Sequence, residues 1–193
     1  IPEKGVLPLL DAIGLLVARG HDVRLDIAGE IDGWAPAEVA EYRQAVRSRA
    51  AAHDLAGRVR FLGWRDDVET VLAEAGLHCC PSQPEQREGF GNVVVEAKRA
   101  GVPSVVCPSG ALPEMVEHLR DGWVASGFDA TAIAEGLEWF LVDDARWRAA
   151  SHEARRSSRR YDPQVFAREW QALFGVGEAG LEPRVPWTIE TRA

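Results

Sequence analysis

Two glutamates, Glu88 and Glu96, flank a glycine turn, Gly89-Phe90-Gly91, with seven residues between them. An apolar strand-like run, Leu77 to Cys80, leads to the turn, and a helical pattern opening near Asn92 leaves it. A helix that starts on a glycine turn presents unpaired backbone N–H groups and the positive end of its dipole, so it favours negative charge. Side chains on a helix lean toward its N-terminus. A carboxylate one turn in, such as Glu96, therefore points to the mouth and suits two vicinal hydroxyls, as on a ribose. Glu88, before the turn, suits the hydroxyls of a second sugar, with phosphates on the N–H groups between. Taken singly, Glu96 is a first-turn dipole partner and Glu88 a solvated loop acid. The turn, the strand before it and a second glycine turn near Gly110 make the pair read as a holder of phosphates and sugars.

The rest of the chain must position that turn. Val6 to Arg19 repeats apolar residues at helical spacing and stops at Gly20. Val23 to Ala28 alternates as a strand does, and Ile31 to Pro36 reads as a loop. Ala37 to His53 is a polar helix, Val59 to Leu62 a short strand, and Asp66 is expected to cap a helix running to about Ala75. Strands follow at Ser104 to Cys107 and Trp123 to Val124, with a helix over Leu112 to Leu119 between them. Helices over Ala130 to Leu141, Asp143 to Arg159 and Pro163 to Phe174 complete residues 1–174, one domain. Residues 175–193, rich in glycine and proline, read as a tail. Short apolar strands alternating with helices imply an α/β fold, a Rossmann-like, doubly wound parallel sheet with ligands at the carboxyl ends of its strands.

Composition excludes several classes. The chain has 193 residues and a formal net charge of −8, which argues against a general nucleic-acid binder. Its three cysteines, Cys79, Cys80 and Cys107, lie in apolar runs and suit a reduced, cytoplasmic setting. No apolar run is long enough to span a membrane. A chain that opens at Ile1 with only one methionine reads as a piece of a longer protein. His78 reads as a core histidine. Arg155, Arg156, Arg159 and Arg160 read as a solvated helix face, and Trp139, Trp147 and Trp170 as packing.

The sequence P-S-x(n)-E-G-F-G-N-V-V-V-E-A, followed by A-G-V-P-S-V-V, S-G-A-L-P-E-M-V and D-G-W-V, resembles the donor-binding C-terminal half of a retaining GT-B glycosyltransferase of family 4, or group 1. Glu88 and Glu96 match the family's E-x7-E acids, and the likeness runs from about Lys4 to Phe174. The resemblance implies a hexosyltransferase-like enzyme that moves a sugar from a UDP-, GDP- or ADP-sugar to an acceptor hydroxyl with retention. It needs no cofactor and no obligatory metal, and no D-x-D triplet is present to hold one.

The resemblance also implies roles. Glu96 binds the ribose. Glu88, with the N–H groups of Gly89, Phe90 and Gly91, holds the donor sugar. The N–H groups of Asn92 and Val93 face the diphosphate, and Lys4 neutralises it as it leaves. The edge at Gly63 and Trp64 holds the base. The family's second glycine after Gly110 is Ala111 here, a departure that bears on the local turn and not on the site. The N-terminal acceptor domain of such enzymes has no counterpart in the chain. An isolated donor domain is thus expected to bind donor without full activity. The whole protein is expected in the cytoplasm, with peripheral membrane contact left open. The alternatives are a non-catalytic nucleotide-sugar-binding or assembly module and, fitting less well, a sugar-nucleotide epimerase of the same fold.

Overall fold

The computed structural model describes residues 2–30 and 39–174. The expected loop over 31–36 and the tail over 175–193 lie outside them. The chain divides into two compact units, Ile1–Ser158 and Arg159–Ala193.

In the first unit, a 3-10 turn over Pro2–Lys4 leads to α1 (Val6–Ala18), β1 (Leu25–Ala28), α2 (Ala40–Ala50), β2 (Val59–Gly63) and α3 (Val68–Ala73). Then come β3 (His78–Cys80), α4 (Asn92–Ala100), β4 (Ser104–Val106), α5 (Leu112–Met115), β5 (Gly122–Val124), α6 (Ala130–Leu141) and α7 (Asp144–Ser157). All strand pairs are parallel. They form two sets, β1-β2 and β3-β4-β5, with no hydrogen bonding between the sets among the described residues. The α/β class and the parallel pairing follow the sequence pattern, although the strands do not join into one sheet.

Helices cover both faces of the β3-β4-β5 set, whose middle strand, β4, is apolar and buried throughout. On one side α1 packs on α6, and Leu10, Leu16, Ile133 and Phe140 enclose Val105 and Cys107, which share a face of the β4 run. On the other side α4 packs against α3 and α7, where Ala97 meets Leu72 and Val102. Gly136 lets α6 approach β5: a Cβ there would stand 2.4 Å from the Trp123 ring.

Two local expectations fail for identifiable reasons. The helix expected to run from Leu112 to Leu119 ends at Met115, because Val116 is extended and Leu119 takes a positive φ of 66°. Asp66 does not cap α3. Its carboxylate accepts from Trp64 Nε1 at 2.9 Å, while the N-cap residue, Asp67, is held by Arg65 at 2.7 Å. By contrast, Asp129 and Asp143 do cap α6 and α7 through side-chain hydrogen bonds.

In the second unit, α8 (Pro163–Phe174) carries a ring ladder of Phe166, Trp170 and Phe174. Trp139 and Trp147 sit partly buried against the main core of the first unit, as packing residues.

Candidate functional site

The site lies where β3 ends. Pro81 turns the chain out of the strand, and the loop to Gly91 is fixed from two sides. On one side stands the start of the chain. Gly5 has a φ of +67°, and a Cβ on it would stand 2.0 Å from the Pro81 carbonyl oxygen. Only glycine allows that approach. The Gln83 N–H donates to the Glu3 carbonyl at 2.8 Å. This docking delivers Lys4 to Glu88, 84 positions away, and its Nζ donates to Glu88 Oε1 at 2.6 Å.

On the other side stands the second glycine turn. Ser109 Oγ donates to the Gln83 carbonyl at 2.9 Å, and the Ala111 N–H donates to the Glu88 carbonyl at 2.7 Å. Gly110 has a φ of +55°, and a Cβ there would stand 2.2 Å from that same carbonyl. Ala111 has a φ of −80°, which any residue adopts, so alanine at 111 leaves the turn intact. The residue before Glu88, Arg87, has a φ of 43°, unusual for a side chain with a Cβ. The Glu88 backbone is thus clamped after a strained residue.

Glu88 is 14% exposed, and its Oε1 also accepts from Ser82 Oγ at 2.7 Å. Burial pushes its carboxyl up, but the hydrogen bonds from Lys4 and Ser82 and the Lys4 charge outweigh burial and hold it below the ordinary carboxylate range. The sequence pointed to the turn at Gly110 and carried Ser82 and Met115 inside its motifs, but it gave no role to Ser82, Met115 or Gly5.

At the head of α4, Gly91 is the N-cap and Asn92 the first helical residue, as the sequence implies. Among the described residues, the N–H groups of Gly89 and Val93 donate to no backbone carbonyl, while the Asn92 N–H reaches the Phe90 carbonyl at 3.2 Å. The Gly91 N–H turns inward and meets Met115 Sδ at 3.1 Å. Gly91 itself is packed so tightly that a Cβ would stand 2.7 Å from Leu112. Phe90 is 52% exposed. Glu96 is partly buried on the second turn of α4, and its carboxylate makes no hydrogen bond or ion pair among the described residues.

Gly63 ends β2 with a φ of +66° and accepts from the Gly29 N–H at 2.8 Å, so the two strand ends meet there. Trp64 is 75% exposed. His78 is a core residue: its Nδ1 lies 3.0 Å from Ser104 Oγ, and burial lowers its pKa to about 4. Burial also pushes the Cys107 thiol up to about 12, and the Cys80 thiol upward. No cluster of metal-ligating side chains occurs among the described residues, and no described helix is long and apolar enough to cross a membrane.

A family model described as glycosyl transferases group 1 matches residues 1–143. The chain is 33% identical over 189 residues to a phosphatidyl-myo-inositol mannosyltransferase of Mycolicibacterium smegmatis, covering 95% of this chain and 45% of that protein. It is 34% identical to the enzyme of that name from Mycobacterium tuberculosis, covering 91% and 46%. The chain therefore spans less than half the length of these relatives. Its fold superposes on an Anabaena protein, HepE, crystallised with UDP, with a TM-score of 0.80, 24% identity, and coverage of 91% of this chain and 46% of that one. It also superposes on the isolated C-terminal domain of a group 1 glycosyl transferase family protein of Francisella tularensis, with a TM-score of 0.73, 17% identity, and coverage of 84% and 82%.

Proposed function

The chain belongs to the group 1 glycosyl transferases, and on that premise we propose that it is the donor-binding C-terminal domain of a retaining, GT-B glycosyltransferase. The whole protein transfers a hexose from a nucleoside-diphosphate sugar to an acceptor hydroxyl. The domain alone binds donor with little or no turnover. One observation carries this reading: Lys4 and Glu88 meet at 2.6 Å at the mouth of α4, where the N–H of Val93 donates to no backbone carbonyl among the described residues.

The chemistry follows from that placement. When the sugar–phosphate bond breaks, negative charge grows on the diphosphate. The α4 N-terminus and the Lys4 ammonium lie where that charge develops, and fixed charges there lower the barrier. This is the work a divalent cation does elsewhere, so no metal is obligatory. Glu88 accepts hydrogen bonds from the sugar, and Glu96, with no other partner among the described residues, accepts from the ribose. The exposed Phe90 and Trp64 line the sugar and base ends, with Gly63 at the base. The lipid in the names of the mycobacterial relatives supports peripheral membrane contact for the whole protein, which we place in the cytoplasm. The UDP of the HepE complex supports a nucleoside diphosphate, with UDP, GDP and ADP as the nucleotides to compare.

Isothermal calorimetry of the chain with these three nucleotides tests the reading. At least one should bind, and a folded chain that binds none overturns it. Glu96→Ala should weaken the bound nucleotide about tenfold or more, the scale of lost hydrogen bonds to a charged group, with little change in melting temperature. Equal affinity of the wild-type chain for the ribo- and 2′-deoxyribonucleotide would remove Glu96 from its role.

A further inference from the structure

We propose that Ser82 is a positioning residue for the donor sugar: its hydroxyl, together with Lys4, occupies Oε1 of Glu88 and so turns Oε2 toward the sugar. The proposal rests on the donor-site reading above and adds a residue and an atom to it.

The geometry carries it. Ser82 is 1% exposed, yet it lies on a loop at the end of β3, where a buried hydroxyl needs a reason. Its Oγ lies 2.7 Å from Glu88 Oε1 and 3.7 Å from Cys80 Sγ. An ionised carboxylate only accepts, so the single hydroxyl proton goes to Glu88. The serine oxygen then accepts a hydrogen bond from the Cys80 thiol, which burial keeps protonated. The order of donation is Cys80 to Ser82 to Glu88, and it has one consistent direction.

Lys4 reaches the same oxygen at 2.6 Å. Both donors therefore fall on Oε1, and among the described residues none falls on Oε2. A carboxylate held by one oxygen at two fixed points cannot rotate freely, and its other oxygen is presented ready-made. The backbone clamp from Gly110 and Ala111 fixes the position of the residue, and Ser82 fixes the orientation of its carboxylate. Among the described residues, the charged and titratable groups facing Glu88 are Lys4, from the 3-10 turn, and the Cys80 thiol, from β3.

The experiment uses the whole 193-residue chain. Calorimetry compares UDP with UDP-glucose and GDP with GDP-mannose for wild type, Ser82→Ala and Ser82→Thr. Carboxyl carbon-13 NMR, assigned with Glu88→Gln, follows the Glu88 titration without ligand. In Ser82→Ala the sugar nucleotide should lose about fivefold or more in affinity, while the free nucleotide stays within about twofold. The Glu88 titration should move upward, because a donor to its charged form is gone. The acid limit of sugar-dependent binding should move upward with it. Ser82→Thr, which keeps the hydroxyl, should retain the wild-type titration.

Equal loss for nucleotide and sugar nucleotide, or no loss for either, overturns the proposal. So does an unmoved Glu88 titration in Ser82→Ala, or a Thr variant that titrates like Ala. A folded wild type that binds none of the four ligands overturns the donor reading itself, and the Glu88 titration then decides alone whether Ser82 holds that carboxylate.

Discussion

The molecule contains the same three chemical groups, a lysine, a carboxylate and a serine, at two places. At the mouth of α4 they are Lys4, Glu88 and Ser82. Inside, they are Lys98 on α4, Asp121 before β5 and Ser157 on α7. The inner set is closed. Asp121 Oδ2 accepts from Lys98 and, at 2.7 Å, from Ser157, while Oδ1 accepts from the Glu117 N–H at 2.8 Å. Its lysine and aspartate side chains are 1% and 2% exposed. The outer set is open. Its lysine is 46% exposed, and one carboxylate oxygen has no donor among the described residues. The difference teaches what separates a structural ion pair from a ligand site. A buried carboxylate with both oxygens satisfied holds helices together. One held by a single oxygen at the surface has capacity left for a ligand.

Breaking the inner set should have the largest effect. Lys98→Met leaves the Asp121 charge buried without its cation and should cost about 3–5 kcal/mol of stability, measured by urea unfolding. Nucleotide affinity of the fraction that stays folded should change little. A variant as stable as wild type would mean that the inner set does not bind α4 to α7.

Acid should act next, and on the fold before the mouth. His78 is held neutral, with a pKa of about 4 against 6.5 when free. The unfolded chain therefore takes up a proton that the folded chain refuses. Stability should fall as pH drops from 6.5 and level off below 4, by at most about 3 kcal/mol, a ceiling because the ring keeps some solvent contact. Glu88 has the opposite sign of charge and the same direction of effect: its contribution is present above the free carboxylate range and lost as pH falls through its lowered pKa. Thermal melts of His78→Asn across this range should be flatter than wild type. Equal slopes would place the acid weakness elsewhere.

The outer lysine should matter least to the fold. Lys4→Ala removes a half-exposed ion pair and should change stability by no more than about 1 kcal/mol. Nucleoside diphosphate affinity in calorimetry should nevertheless fall about tenfold, the scale of a charge-assisted contact to phosphate. A large stability loss without a binding loss would erase the contrast between the two sets.

Much of this was legible in the residues. The bounds of α6, the starts of α4 at Asn92 and α8 at Pro163, and the Gly20 stop follow from local rules of periodicity and capping, which act within a turn or two of the chain. The glutamates on either side of Gly89-Phe90-Gly91 were visible for the same reason. The Asp66 cap was misplaced because an aspartate beside Trp64 and Arg65 has competing donors, and sequence spacing does not rank them. The helix after Leu112 was drawn too long because nothing in V-E-H-L opposes a helix locally. The stop comes from the loop that must return to β5 and satisfy Asp121.

By itself the sequence determined the chemistry on offer: two acids with seven residues between them around a glycine turn, strands alternating with helices, and a motif cluster shared with one family. The tertiary structure decided how those groups are spent. It brought Lys4 to Glu88 across 84 positions, set Ser82 on the same oxygen, turned the Gly91 N–H to Met115 and left Glu96 without a partner among the described residues. The physical reason is one of range. Spacing fixes which face of an element a side chain occupies, whereas the partner it meets depends on which loops the parallel strands bring to the same edge.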